Sequence, residues 1–278
     1  MSFEPKFVDI TEKQQVAYCI PAYLREDQIK LSSAYSYKRF TPVKETTEEP
    51  IALACFGPSL NDTWLDLKDY KHIVSCSGSH KFLRERMITP SWHVEVDPRK
   101  HKVELIGNSI SPDTEYLIAS CCHPEVFAHL KKFHANVTLW HTYSGEGAER
   151  IPIVFPRGDW VMTGGSNVGL RALVLTRLLG FKNIHIFGMD GSFNKPDAEC
   201  KGARHAAFHP NSPKKYIVTK VNDKEFYTTP AFLECAKQTF HEISMLPDTN
   251  ITFHGKGLIQ EMAASDKTER KNKVQIAF

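Results

Sequence analysis

Ile51-Ala-Leu-Ala-Cys-Phe-Gly-Pro-Ser-Leu60 is an apolar run that stops at Gly57-Pro58-Ser59 and passes into a helix-like pattern carrying Trp64, Leu65 and Leu67. A short apolar run closed by turn residues is the signature of a buried strand in a parallel sheet. Gly57 allows close approach of backbone, Pro58 fixes the turn, and Ser59 is placed to cap the following helix. A strand feeding a helix through a glycine leaves amide N–H groups and the positive helix end facing outward, where an anion such as a nucleotide phosphate can sit. An ordinary strand-to-helix connection has the same local pattern.

Working outward, strands are expected at Ile51–Phe56, His72–Cys76 and Trp92–Val96, separated by helices at Leu60–Leu67 and Ser79–Met87. The alternation continues with a strand at Tyr116–Ala119, a helix at Glu125–Phe133, a strand at Asn136–Trp140, a helix at Leu170–Leu179 stopped by Gly180, and a strand at Asn183–Phe187. Strand-helix-strand repetition predicts an α/β fold with a doubly wound, mainly parallel sheet. A helix at Pro230–Met245, a strand at Asn250–His254 and a helix at Leu258–Ala264 complete it. Residues 1–49, polar and ending in the charged Lys44–Pro50 stretch, read as an N-terminal extension; 50–265 read as the α/β domain and 266–278 as a charged tail. Tyr143–Arg150 reads as a lid or connector, and 194–228 as the least regular stretch.

The 278 residues, 41% hydrophobic, suffice for a substantial core, and a net charge of +3 is too small to single out nucleic acid while fitting a phosphorylated substrate. Seven scattered cysteines without a CxxC pair suggest a reducing compartment. With no apolar stretch near the ~18 residues of a membrane span and no leader-like pattern at Met1–Lys6, the expectation is a cytoplasmic protein without a membrane span.

The predicted carboxyl ends of the strands gather Gly57 and Ser59, Asp97, and Gly188 with Asp190. In a doubly wound sheet those ends share the edge where ligands bind. Asp97 and Asp190 can there meet a metal, a ribose hydroxyl or an acceptor proton, although strand-end aspartates also form turns. Thr163-Gly-Gly-Ser-Asn-Val-Gly169 offers donors to a phosphate, ribose or base, or a glycine-rich cap with Ser166 on the helix. Its Gly-Gly-x-x-x-Gly spacing, with no strand running directly into it, is not the dinucleotide fingerprint, which argues against a nicotinamide dehydrogenase. His205 and His209 have helical i,i+4 spacing but lack the neighbouring Glu and third ligand of a zinc site. In a basic loop they suit general acid/base work or the steadying of a leaving phosphate, or are surface histidines among the thirteen present.

The ordered set Ala54–Leu60, Val94–Pro98, Gly164–Leu173 and Leu178–Asp190 resembles the superfamily of 6-hydroxymethylpterin diphosphokinase MptE-like proteins, which includes the flagellin glycosyltransferases called motility accessory factors. It is also distantly similar to bacterial lipooligosaccharide sialyltransferases, over about residues 51–260. The resemblance implies a Rossmann-like, glycosyltransferase-A-like variant of the doubly wound fold. It implies that Gly57, Pro58, Ser59, Gly165, Ser166 and Asn167 bind the nucleotide, with His205 or His209 as the base; the strand-end and loop positions add Asp97 and Gly164 to the nucleotide set and Asp190 to the catalytic one. Gly191-Ser192-Phe193 replaces the tyrosines that support the donor phosphate in the sialyltransferases, which argues against CMP-sialic acid as donor.

The expected function is transfer of a sugar from a CMP- or UDP-linked donor to an acceptor hydroxyl on a glycan, a protein or, as in some phage systems, a hydroxymethylated DNA base. No resident cofactor is implied beyond the nucleotide-sugar co-substrate, with Mg²⁺ left open and the metal ligands unassigned. Two alternatives remain: a Mg²⁺-ATP-dependent pterin diphosphokinase, with Asp97 and Asp190 holding the metal, and a non-catalytic nucleotide- or glycan-binding module.

Overall fold

The computed structural model describes residues 6–13, 19–143, 155–193, 216–265 and 274–277. The elements in chain order are β1 (Lys6–Phe7), α1 (Ala22–Ser33), β2 (Lys38–Arg39), β3 (Thr47–Ala54), α2 (Leu60–Thr63), β4 (His72–Cys76), α3 (Ser79–Arg84), β5 (Trp92–Glu95) and α4 (Lys102–Ile106). They continue with β6 (Glu115–Ala119), α5 (Pro124–Lys132), β7 (Asn136–Thr142), β8 (Val161–Met162), α6 (Val168–Leu178), β9 (Phe181–Phe187), β10 (Ile217–Val221) and β11 (Lys224–Thr228). The last are α7 (Pro230–Met245), β12 (Asn250–His254), α8 (Leu258–Ser265) and β13 (Val274–Ala277). This is the doubly wound, mainly parallel α/β fold, Rossmann-like in its alternation of strand and helix.

Two compact units share the chain, one built from residues 1–16, 47–71 and 181–278, the other from 17–46 and 72–180. In the first, β13, β12, β9 and β3 pair in that order, all parallel. Ile51, Leu53, Ile184, Ile186, Ile251 and Phe253 are fully buried, and β3, buried on both faces from Ile51 to Ala54, reads as a continuous apolar run. A smaller sheet in the same unit joins β1 to the β10–β11 hairpin. The 194–228 stretch is therefore not all loop: Asn222 and Asp223 both take positive φ (47° and 63°), the two-residue turn that matches strand twist in a hairpin.

The second unit pairs β4, β5, β6, β7 and β2 in parallel, with β8 added to β7. Its helices start on side-chain caps where the sequence supplies them: His123 accepts from the Glu125 amide before α5, and Asn167 accepts from the Leu170 amide before α6. Part of the stretch expected as an extension belongs to this unit. Within it, α1 buries Ile29 and β2 pairs with β7. The polar Thr47-Glu-Glu49 segment likewise opens β3 instead of linking to it. Residues 266–273 of the expected tail, and 144–150 of the expected lid, lie outside the described residues, while β13 adds a parallel strand to β12.

Gly180 ends α6 as the sequence predicts, at φ 101°, and its amide bonds back to the Arg177 carbonyl at 3.0 Å. A Cβ there would stand 2.7 Å from the Glu45 carbonyl oxygen, backbone that cannot rotate away. Gly180→Ala is expected to lower unfolding stability by about 1–3 kcal/mol, measured by urea denaturation, with the far-UV spectrum unchanged.

Candidate functional site

At the carboxyl ends of β3 and β9 the first unit brings together Gly57, Ser59 and Asp190, as the strand-end argument anticipates. Asp190 is only 4% exposed. Its Oδ2 accepts the Ser59 amide at 2.8 Å, and its Oδ1 accepts the Ser59 hydroxyl. Gln260 adds a long contact from Nε2 to Oδ1, 3.5 Å, while also donating to the His254 carbonyl at 3.1 Å. The Asp190 carbonyl accepts the Ile259 amide, 3.1 Å, which docks the start of α8 on the same turn. Burial pushes the Asp190 carboxyl up to about 6, against the opposing pull of its Ser59 hydrogen bonds.

The turn differs from the expected anion cradle in a specific way. The Gly57 amide donates to the Gly188 carbonyl at 2.7 Å, Leu60 to Gly57 at 3.1 Å and Asn61 to Pro58 at 3.1 Å, while the Ser59 amide is taken by Asp190. The anion at this turn is the protein's own carboxylate. Ser59 does not cap a helix with its side chain, because its hydroxyl is committed to Asp190. The expected Leu60–Leu67 helix is also broken: α2 spans one turn, and a 3-10 stretch follows from Trp64 to Asp69. Thr63 causes the change by returning its hydroxyl to the Ser59 carbonyl at 2.9 Å, and a single turn carries little macrodipole.

Asp97 lies in the second unit, just past β5, and both its oxygens are occupied. Oδ1 accepts the Arg99 amide at 3.0 Å and Arg99 Nε at 2.9 Å, and Oδ2 accepts Arg99 Nη2 at 2.5 Å. Lys102 Nζ stands 3.4 Å from the same Oδ2, 3.9 Å from Glu95 Oε2 and 3.0 Å from Ser77 Oγ. Burial raises the Glu95 carboxyl, and although it also works against ionisation of Asp97, Arg99 and Lys102 hold that group below its ordinary range. Burial alone would depress Lys102, but Glu95 and Asp97 outweigh it and raise the ammonium. This is a charge cluster the sequence reading missed. Its signal was the i,i+2 and i,i+5 spacing of Arg99 and Lys102 from Asp97.

The glycine turn also lies in the second unit. Gly164 and Gly165 take φ of 141° and 55°, and Leu170 packs where a Gly165 side chain would stand. Asn167, not Ser166, caps α6, through Oδ1 at 2.9 Å from the Leu170 amide, which leaves Ser166 exposed. Contrary to expectation, a strand does lead into this turn: β8 ends at Met162, and Thr163 follows. Next to it, His141 Nδ1 meets Ser120 Oγ at 2.8 Å, and its Nε2 meets Asp159 Oδ2 at 2.8 Å, with Arg39 Nε 3.2 Å from that oxygen. His205 and His209 lie outside the described residues.

A family model described as 6-hydroxymethylpterin diphosphokinase MptE-like matches residues 27–196, more than half of the chain. The chain belongs to the MptE-like family. No curated protein matches this MptE-like chain. Among solved structures it is similar to the MAf glycosyltransferase from Magnetospirillum magneticum AMB-1, with a TM-score of 0.67 and 13% identity, over 93% of this chain and 39% of that one. At that identity the likeness establishes the fold, and this chain spans well under half the length of that neighbour. Among the described residues no helix is long and apolar enough to cross a membrane.

The buried Asp190 carboxyl makes two predictions. Asp190→Ala strands the Ser59 amide and is expected to cost about 1–3 kcal/mol in denaturant unfolding. Because the folded pKa lies above that of the unfolded chain, the group's contribution to stability is complete below about pH 4 and is lost as pH rises through about 6. Stability measured from pH 4 to 7.5 should therefore show a downward component in the wild type that Asp190→Ala lacks. Gly57→Ala tests the same contact by space, since its Cβ would fall 2.5 Å from both Asp190 Oδ2 and the Gly188 carbonyl oxygen.

Proposed function

We propose that the protein is a glycosyltransferase that moves a sugar from a nucleotide-linked donor to an acceptor hydroxyl. The observation that carries this reading is the fold match over 93% of the chain to a MAf glycosyltransferase, joined to the glycine turn after β8, which exposes Thr163 and Ser166. In the proposed reaction His205 or His209 removes the acceptor proton, the acceptor oxygen bonds to the anomeric carbon, and the nucleotide leaves with the electrons of the broken C–O bond. Lysine and arginine side chains of the same basic stretch of sequence offset its charge. A CMP- or UDP-linked sugar is the proposed donor.

The geometry changes the roles proposed for the strand-end residues. Gly57, Pro58 and Ser59 form a rigid turn of the first unit, held by Asp190, because the Gly57 and Ser59 amides are bonded within the protein. Asp190 is thus a positioning residue for that turn. Thr163 and Ser166 are exposed on the glycine turn and are the proposed polar contacts of the nucleotide beside Gly164, Gly165 and Asn167. A diphosphokinase would need Asp97 and Asp190 to hold Mg²⁺, and the structure does not suit them to it: Ser59 engages both oxygens of Asp190, and Arg99 and Lys102 engage those of Asp97.

The test is a donor panel of CMP-, UDP- and GDP-linked sugars and ATP, with and without Mg²⁺, read by thermal shift and by release of free nucleotide. Binding of a nucleotide sugar at one hundred times its Kd raises stability by about 2.7 kcal/mol. The expected result is stabilisation by a nucleotide sugar, with turnover lost and donor binding kept in a His205→Ala/His209→Ala double variant. Stabilisation by Mg²⁺-ATP alone would replace the reading with phosphoryl transfer.

A further inference from the structure

Among the described residues, six other than glycine take a positive φ. Met87 and His134 stand in the turns that close α3 and α5, Asn222 and Asp223 form the β10–β11 hairpin turn, and Asp248 lies between α7 and β12. Left-handed residues are commonplace at helix ends and hairpins. Ser77 is placed differently: at φ 54° it joins β4 to α3 at the carboxyl end of the strand, the edge where parallel sheets meet their ligands. Glycine adopts this conformation freely, whereas a serine there is strained and persists only if its surroundings over-determine it.

Those surroundings converge on the hydroxyl. The Ser79 side chain bonds both the amide and the carbonyl of Cys76 at 2.9 Å, and the Ser77 amide reaches the Val94 carbonyl at 3.4 Å, so the turn is held on both sides. From α4, Lys102 Nζ donates to Ser77 Oγ at 3.0 Å. The Lys102 side chain is 8% exposed, and Glu95 and Asp97 keep it charged. Since the hydroxyl oxygen accepts from an ammonium, its own proton points away from Lys102, and no acceptor among the described residues takes that proton. Ser77 is half-buried, which leaves the O–H at the surface. A hydroxyl that accepts a charge-assisted bond is itself a stronger donor. Arg99 and Lys102 balance Asp97 and Glu95, so an anion at Ser77 meets no uncompensated carboxylate. The glycine turn shares this edge of the second unit: β8 runs parallel to β7 into it, and the helix that follows, α6, packs on β4.

We propose that Ser77 is a donor-binding residue whose hydroxyl hydrogen-bonds a phosphoryl oxygen of the nucleotide sugar, with Lys102 as the positioning residue behind it. A phosphoryl oxygen suits the group because it only accepts and carries charge, while a sugar hydroxyl gains less from an O–H polarised by an ammonium. The assignment rests on the nucleotide-sugar reading above and adds to it a contact for the phosphate.

The full chain and its Ser77→Ala and Ser77→Gly variants are titrated calorimetrically with CMP-, UDP- and GDP-linked sugars, the parent nucleotides and the free nucleosides. Both variants are expected to bind nucleotide sugar and nucleotide about tenfold more weakly, with nucleoside binding unchanged. Ser77→Gly should also melt about 2–4 °C above Ser77→Ala, because only glycine releases the strain, and yet recover no affinity. A serine that served solely to satisfy Lys102 would alter melting without this selectivity among ligands. Wild-type affinity for nucleotide sugar and nucleotide in both variants, or an equal loss on the nucleoside, would overturn the assignment and leave the donor reading standing. If the wild-type chain bound no nucleotide sugar, the donor reading itself would fall, and the role of Ser77 with it.

Discussion

The contact between Ser59 and Asp190 constrains more of the first unit than any other. A carboxylate at the carboxyl end of β9 has been taken out of water, which is unfavourable unless its oxygens are bonded. The Ser59 amide and hydroxyl, from the turn after β3, satisfy them, so two adjacent parallel strands are tied at their exits by side chain as well as ladder. The lack of room at Gly57 follows directly, since Asp190 Oδ2 and the Gly188 carbonyl oxygen occupy the volume where its Cβ would stand. So does the placement of α8, whose first amides are taken by the Asp190 carbonyl and by Ser192 Oγ at 3.1 Å each. Apolar burial holds the strands together, and this polar contact sets where the chain turns at their ends.

Apolar strands were legible in the sequence because a parallel sheet buried on both faces favours apolar runs, and Ile51–Ala54, Val74, Val94, and Ile184, Ile186 and Phe187 around His185 comply. Segments that fold against charged or polar partners were not. Thr47-Glu-Glu49 looked like a linker, yet Glu48 and Glu49 reach Lys182 and Lys71 at 3.5 and 3.1 Å from the start of β3. In α1 the inward positions include Arg25, Glu26 and Ser32 as well as Ile29, and Ser32 bonds the Ser120 carbonyl at 2.7 Å. No apolar period marks such a helix. The β10–β11 hairpin was legible in principle, from β-branched Ile217–Val221 and aromatic-bearing Lys224–Thr228 around Asn222-Asp223, but the basic residues preceding it hid the pattern.

For the candidate site, sequence spacing identified which residues stand at strand ends and misjudged what they do there. Gly57 and Asp190 were expected to face a ligand together; they face each other, because an acidic side chain close to free amides will take them before any solute does. Asp97 follows the same rule with cations two and five residues on. The alternative of a glycine-rich cap placed Ser166 on the helix, and Asn167, one residue nearer α6, has the reach instead. These errors share a cause: a one-dimensional motif shows which groups can bond, and only the packing shows which bonds the protein has already made.

That distinction separates framework from recognition surface. A polar group whose bonds are complete inside the chain contributes shape, and removing it costs stability before anything else. A buried polar group left incomplete has the opposite character, for it weakens the isolated fold and gains only when something binds. Asp190, Ser59, Asp97 and His141 are of the first kind. Trp140 Nε1 and Thr142 Oγ1, without a hydrogen-bond partner among the described residues, are of the second.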